Sequence, residues 1–395
     1  MKIAVRIILF TCIPLLYLSV EFAMLKLSRD EYYDDINKRI ETALTSATGA
    51  VEPDLTLMTH RMITSDIQDG LISPQNAEKA FSNTAGYFDE VKNKCIKEGT
   101  QKTKNILSCA NNILGNHFYY YPARETASAW AGHYSDCDSN VYLLLDALKL
   151  FNKSASIVYA PGHAFISWAD EQTGLPAWWE TTSDANHGRP ADLTQEFYKK
   201  TLAPFYYHQQ SAAFAEHFYT SVVTLNSLNT ALKENRLKDM IKQYPDNPFV
   251  EDLEYENKRS LTPADVAWLQ VRLKTDMSSV TKKQLLANYY QKKGNTELAK
   301  NYISRIDIDS CDADCRPLMI MASSVNRFWF MASDILSKHA IHNSHGEFAM
   351  DKRKYPITAI KKRFYDVAMI LIIMLALRGA PALYSDLKSI RTREK

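Results

Sequence analysis

Three residues fall in an order and at a spacing that suit nucleophilic catalysis: Cys137, His163 and Glu180. The segment Gly132-His133-Tyr134-Ser135-Asp136-Cys137-Asp138-Ser139-Asn140 leads into Val141–Leu150, whose apolar spacing is that of a buried amphipathic helix. Cys137 therefore falls at a helix start, with Ser135 or Asp136 free to cap it. A thiol there feels the positive end of the helix dipole, which favours the thiolate. Asp136 and Asp138 act in the opposite direction, so a neighbouring base is required. One is available in His163, which opens the alternating run His163-Ala164-Phe165-Ile166-Ser167-Trp168 after Pro161-Gly162. A polar turn, Asp170 to Gly174, then separates that run from Ala177-Trp178-Trp179-Glu180-Thr181-Thr182, its natural hairpin partner. Adjacent strands so arranged can set His163 beside Glu180, a carboxylate that fixes the imidazole tautomer. His133 and His187 read as polar loop residues.

The elements that must position these groups follow from the same stretch. A helix carries the thiol, and the β-branched run Ala155–Ala160 precedes the hairpin. At these residues the sequence resembles the transglutaminase-like superfamily of papain-fold cysteine enzymes, most of all the bacterial members in which such a domain precedes tetratricopeptide-type helices. The resemblance covers residues 131–200. It implies an α+β, papain/transglutaminase-like core, with Cys137 as nucleophile, His163 as general base and Glu180 as orienting acid. Many members carry Asp at the third place, which leaves Asp184 as a second candidate for that role. The implied reaction is acyl transfer from an amide of a protein or peptide substrate. The Cys137 thiolate attacks the carbonyl, His163 protonates the leaving amine, and the acyl group passes to water, as in a peptidase or amidase, or to an amine, as in a transglutaminase. The backbone N–H of Cys137 would help hold the oxyanion. Neither a metal nor an organic cofactor is needed. The alternative from another class is a non-catalytic, membrane-anchored binding protein that only presents a groove.

The rest of the chain frames this centre. Its 395 residues are 46% hydrophobic and 23% charged, with a formal charge of +2, which suits a globular body and gives no electrostatic case for nucleic acid. A mean hydropathy of −0.30 excludes a polytopic membrane protein. After Lys2 and Arg6, the run Ile7–Leu25 carries one charge, Glu21, and approaches the ~20 residues that cross a bilayer. The sequence thus predicts an N-terminal membrane helix, an uncleaved signal-anchor in the inner (cytoplasmic) membrane with the body facing the periplasm or exterior. At the other end, residues 364–384 leave spanning, interfacial anchoring and a buried core helix equally open.

The cysteines agree with export. Cys12 lies in the apolar run, Cys95 and Cys109 form one local pair, Cys311 and Cys315 another, and Cys137 stands alone. A zinc site joining Cys311 and Cys315 to His339, His342 and His345 has a separation too long for a common finger. The expected organisation is therefore a membrane segment over 1–28, a helical lead-in over 29–130, the core over 131–200, a helical domain over 201–350 and a basic-apolar segment over 351–395. Within the helical domain, Leu285–Ile303 resembles one tetratricopeptide-type unit without a second copy, so an ordinary helical hairpin is the simpler reading; a repeat would offer a partner a groove.

Overall fold

A computed structural model describes residues 2–46, 49–95, 102–121, 126–183, 186–195, 198–199, 201–224, 230–311, 315–337, 355–370 and 372–373; residues 2–15, 32, 126 and 230–232 are described by their backbone alone. The chain divides into two compact units, a larger one over Ile36–Ile306 with Ala340–Asp351, and a smaller one of Met1–Asp35, Asp307–His339 and Lys352–Lys395.

In chain order, the helix α1 (Lys2–Thr45) is followed by α2 (Met58–Gln68), α3 (Pro74–Cys95), α4 (Thr103–His117), strand β1 (Tyr119–Tyr120), α5 (Thr126–Ala131) and β2 (Tyr134–Ser135). Then come α6 (Cys137–Lys149), β3 (Ser156–Ala160), β4 (His163–Ala169), β5 (Pro176–Ser183), β6 (His187–Pro190) and β7 (Gln209–Gln210). The remaining helices of the larger unit are α7 (Ala212–Phe218), α8 (Thr230–Gln243), α9 (Pro248–Glu256), α10 (Pro263–Arg272), α11 (Val280–Lys292) and α12 (Thr296–Ile303). The smaller unit adds α13 (Arg316–Ala322), α14 (Asn326–Leu336) and a helical stretch over 357–370.

The five longer-range strands form one antiparallel sheet in the order β6-β5-β4-β3-β7, and β1 pairs with β2 in parallel. The β3–β4 hairpin closes on Pro161-Gly162, with Ala160 opposite His163 and Gly162 at φ +69°. Pro at the second and Gly at the third place is the chemistry of a type II turn, whose positive φ an L side chain adopts only at a cost. Helix α6 is apolar around most of its girth because helices cover one side and the sheet the other. Val141, Tyr142, Leu143 and Leu144 are all fully buried.

One core runs through the larger unit. Met62, Phe88 and Leu107 of α2–α4, Leu144 of α6, Ile157 and Ile166 of the sheet, and Phe218 and Leu253 from the later helices pack in a single cluster. The helices before Cys137 therefore share the core of the stretch that follows it. Buried Asp146 of α6 fixes one of them, accepting hydrogen bonds from the N–H groups of Met58 (2.9 Å) and Thr59 (2.8 Å) and from the Thr59 hydroxyl (2.7 Å). Those are donors that the first turn of α2 cannot satisfy within itself.

Helices α11 and α12, the expected tetratricopeptide-type pair, form a hairpin that turns at Gly294 (φ +77°), with Tyr290 and Tyr302 stacked at 5.8 Å. At the foot of α11, Lys282 is completely buried and donates to Asp252 (2.5 Å) and Asp276 (2.9 Å), with Glu251 at 3.5 Å. The charges of Asp252 and Asp276 hold its pKa above the ordinary lysine value even though burial works to lower it.

The expectation of an N-terminal membrane helix is corrected. Among the described residues no helix is long and apolar enough to cross a membrane. The apolar run is only the first part of α1, which continues unbroken to Thr45 through Lys26, Arg29, Asp30 and Glu31. The side chains of its first nine residues, Ile7–Leu15, Cys12 among them, lie outside the described residues, as do all of 374–384, Asp184 and the three histidines His339, His342 and His345. What the fold retains of the expectation is mixed helix and strand, with helices flanking one antiparallel sheet.

Candidate active site

Cys137 is the first residue of α6, and the turn that holds it there is built by its neighbours. Asp136 is the N-cap: its carboxylate accepts the Ser139 N–H at 3.2 Å, while the Ser139 hydroxyl accepts the Asp136 N–H at 2.7 Å. This reciprocal capping box closes two orphan donors of the helix start and fixes the direction in which the thiol leaves the turn. Helix α6 packs on β4 and β5. The backbone N–H of Ala164, the residue next to His163, hydrogen-bonds the sulfur.

On the sheet, β4 and β5 pair with Ile166 opposite Trp179 and Ser167 opposite Trp178. Continued toward the hairpin's open end, this register sets Glu180 on the face of His163 and diagonal to it, within reach of a long side chain. His163 Nε2 donates to Glu180 Oε2 at 2.7 Å, and both side chains are about nine-tenths buried. A carboxylate on Nε2 fixes the tautomer that leaves Nδ1 as the basic nitrogen. Burial works to raise the Glu180 pKa, but the hydrogen bond and charge of His163, with the Tyr198 hydroxyl and the Thr182 N–H, hold it below its ordinary value. Glu180 is thus kept ionised beside the imidazole.

Two features of this centre escape a reading of the sequence alone. The first is Tyr198, whose hydroxyl donates to the same oxygen of Glu180 at 2.8 Å while its ring packs edge-on against Phe165 at 5.5 Å. Nothing local marks it, because it reaches Glu180 across eighteen positions of chain. The second is an asparagine network behind the strands. Asn111 Nδ2 donates to the Thr181 (3.2 Å) and Asn186 (2.6 Å) carbonyls, and Asn140 Nδ2 donates to Asn186 Oδ1 at 2.9 Å. Asn186, at φ 74°, turns its own amide to the Phe118 carbonyl (2.9 Å) and the Ser135 hydroxyl (3.0 Å). Together these bonds tie α4, the start of α6 and the end of β5, so the thiol and the carboxylate are referred to one rigid frame. Gly188 belongs to that frame, because a Cβ there would stand 2.1 Å from Asn111 Oδ1 and from Trp179 Nε1.

The electrostatics of the thiol run against the sequence expectation of a ready thiolate. Cys137 is partly open at the surface, but its sulfur is packed among protein atoms. Burial, followed by the charges of Asp138 and Asp136, pushes its pKa well above the ordinary thiol value, and the N–H groups of Ala164 and Asp138 only partly oppose this. At neutral pH Cys137 is therefore a neutral thiol. His133 Nδ1 donates to the His117 carbonyl (3.0 Å) and His187 Nδ1 to Asn112 Oδ1 (3.1 Å), which makes them parts of other contacts. Among the described residues no group of His, Cys, Asp and Glu could hold a metal ion.

No family model, no curated protein and no solved structure matches this chain.

Proposed function

We propose that this protein is a cysteine-dependent acyl-transfer enzyme, in which Cys137 is the nucleophile, His163 the general base and Glu180 the residue that orients the imidazole. What carries the proposal is the 2.7 Å bond between His163 Nε2 and Glu180 Oε2, at the head of β4, the strand on which the helix that begins at Cys137 packs. The sequence resemblance to transglutaminase-like enzymes supports the same roles. Because the resting thiol is neutral, His163 takes the proton as the sulfur adds to an amide carbonyl. The C–S bond forms, the carbonyl oxygen becomes the oxyanion, and the imidazolium then protonates the leaving amine as the C–N bond breaks. Water or an amine takes the acyl group in the second half. The substrate class is a protein or peptide amide.

One observation favours a binding protein instead, namely the upward shift of the thiol by burial and two carboxylates. Labelling separates the two readings. Iodoacetamide should modify Cys137 of the native protein at neutral pH, and His163→Ala should slow that modification at least tenfold. Peptide mapping of the labelled site checks it; equal, slow labelling in both proteins gives the binding reading.

The body of the protein belongs in an oxidising compartment, the periplasm or the exterior. Cys95 and Cys109 are bonded with Cα atoms 5.8 Å apart, and Cys311 and Cys315 with Cα atoms 5.4 Å apart. Such local bridges persist where thiols are not kept reduced. Mass mapping of non-reduced protein taken directly from cells should return both bridged peptides. Recovery of all four cysteines alkylated would place the chain in a reducing compartment.

A further inference from the structure

Among the described residues, the residue after the nucleophile is the ionisable group in contact with the sulfur that the mechanism leaves unused. Asp138 Oδ1 lies 3.7 Å from Cys137 Sγ and accepts its S–H. That separation is ordinary for a thiol donor, which is weak and long. The carboxylate also feels the charge of His163 from β4 and of Asp136 from the N-cap, and it raises the phenols of Tyr142 on α6 and Tyr159 on β3. It therefore sits among the thiol, the base and a tyrosine wall, with no cation of the protein bound to it among the described residues.

Two consequences follow from Coulomb's law. A negative charge about 4 Å from sulfur opposes the second negative charge that a thiolate would bring, more strongly in a dry site than in water. It also offers the thiol proton an acceptor that competes with the imidazole. We propose that Asp138 is a catalytic residue of this centre: its carboxylate holds the proton on Cys137 in the resting state and must release that hydrogen bond before the sulfur can attack. The proposal rests on the acyl-transfer reading and deepens it. In the step itself the S–H bond breaks, the proton passes to His163, and Asp138 loses a donor without changing its own protonation. Neutralising Asp138, whether by a proton or by a positively charged group of the substrate, removes the restraint. Burial and Asp136 push its pKa up to about 7, so that proton is available near neutrality.

The test compares wild type with Asp138→Asn, which keeps the size and removes the charge. Iodoacetamide labelling of Cys137 across pH should become about tenfold or more faster at pH 7, and the midpoint of its pH profile should fall by about one unit or more. Asp138→Glu, which restores the charge, should return the midpoint toward wild type. An unchanged or raised midpoint in Asp138→Asn overturns the proposal. If that variant does not fold, the Cys12→Ser protein, in which Cys137 is the one thiol outside the two bridges, decides: its infrared S–H stretch should be present at neutral pH and lie at the low frequency of a hydrogen-bonded thiol, and an absent or free-thiol band overturns the proposal. Failure of the acyl-transfer reading looks different, since it appears as equal labelling of wild type and His163→Ala whatever Asp138 does.

Discussion

Cys137→Ala and His163→Ala are each expected to remove nearly all acyl transfer, and the double variant to lose little more. Removal of a positioned general base costs roughly 10²- to 10⁴-fold. Because sulfur and imidazole act on one proton, the losses do not add. Glu180→Gln should keep a partial rate, since an amide oxygen still accepts the Nε2–H but no longer stabilises the imidazolium. A generic donor such as p-nitrophenyl acetate reports the first half-reaction, and acetylation of Cys137 can be read by mass. The fold should survive in all four, because the thiol is one small side chain at a helix start and the His163–Glu180 pair lies at the edge of the core. Additive losses, or acetylation of Cys137 that persists in His163→Ala at the wild-type rate, would overturn the assignment. A large loss of stability in Cys137→Ala would point to a structural thiol instead.

Lys282→Ala is expected to cost about 3–5 kcal/mol of stability at neutral pH, the range for breaking a buried ion pair from one side. The variant leaves Asp252 and Asp276 facing each other beside Glu251 with no cation between them. The pH dependence gives the sign. Burial raises the Asp252 pKa from 3.8 to about 6, with Lys282 pulling it back down. A carboxyl raised in the fold binds more protons folded than unfolded, so between about pH 4 and pH 6 its contribution to stability falls as pH rises. Without Lys282 the Asp252 pKa rises further and that decline extends to higher pH. The penalty of Lys282→Ala should therefore be larger at pH 7.5 than at pH 5. Urea denaturation at the two pH values measures it, and a penalty that is equal or smaller at pH 7.5 would show that the carboxylates find other compensation.

The parts of this site that sequence makes legible are those governed by short-range pattern. The alternation of His163–Trp168, the Pro-Gly turn before it and the polar loop after it fix a hairpin within about twenty residues, and the helix start at Cys137 carries its own cap. The N-terminal reading failed for a physical reason. Hydrophobicity over Ile7–Leu25 gave no information about how far a helix would continue, and α1 runs on as a polar helix to Thr45. That residues 29–130 share a core with the stretch beyond them is not visible in pattern. Helices α2 to α4 are amphipathic like any covering helix, and only the packed structure shows that their apolar faces and those of the sheet meet in one cluster. Tyr198 and the asparagines act across tens of residues, and a polar side chain that will be buried looks in sequence like one that will be solvated. Asp136 and Asp138 were legible as opposing the thiolate; that Asp138 takes the thiol's hydrogen bond was not.

The carboxylate at the far end of helix α6 bears on the order of events as the chain folds. Asp146 caps α2 across separations of 88 and 87 residues, and Asn111 reaches Thr181 across 70. Closing loops of that length is entropically slow, and native topologies rich in such contacts fold slowly. During synthesis the thiol leaves the ribosome well before Glu180 does. A nascent chain therefore carries Cys137 before His163, Glu180 and the asparagine frame behind them are in place. On the acyl-transfer reading, the three groups meet only once the last strands of the sheet are in place, so that maturation of the polypeptide itself would act as the safeguard against premature acylation.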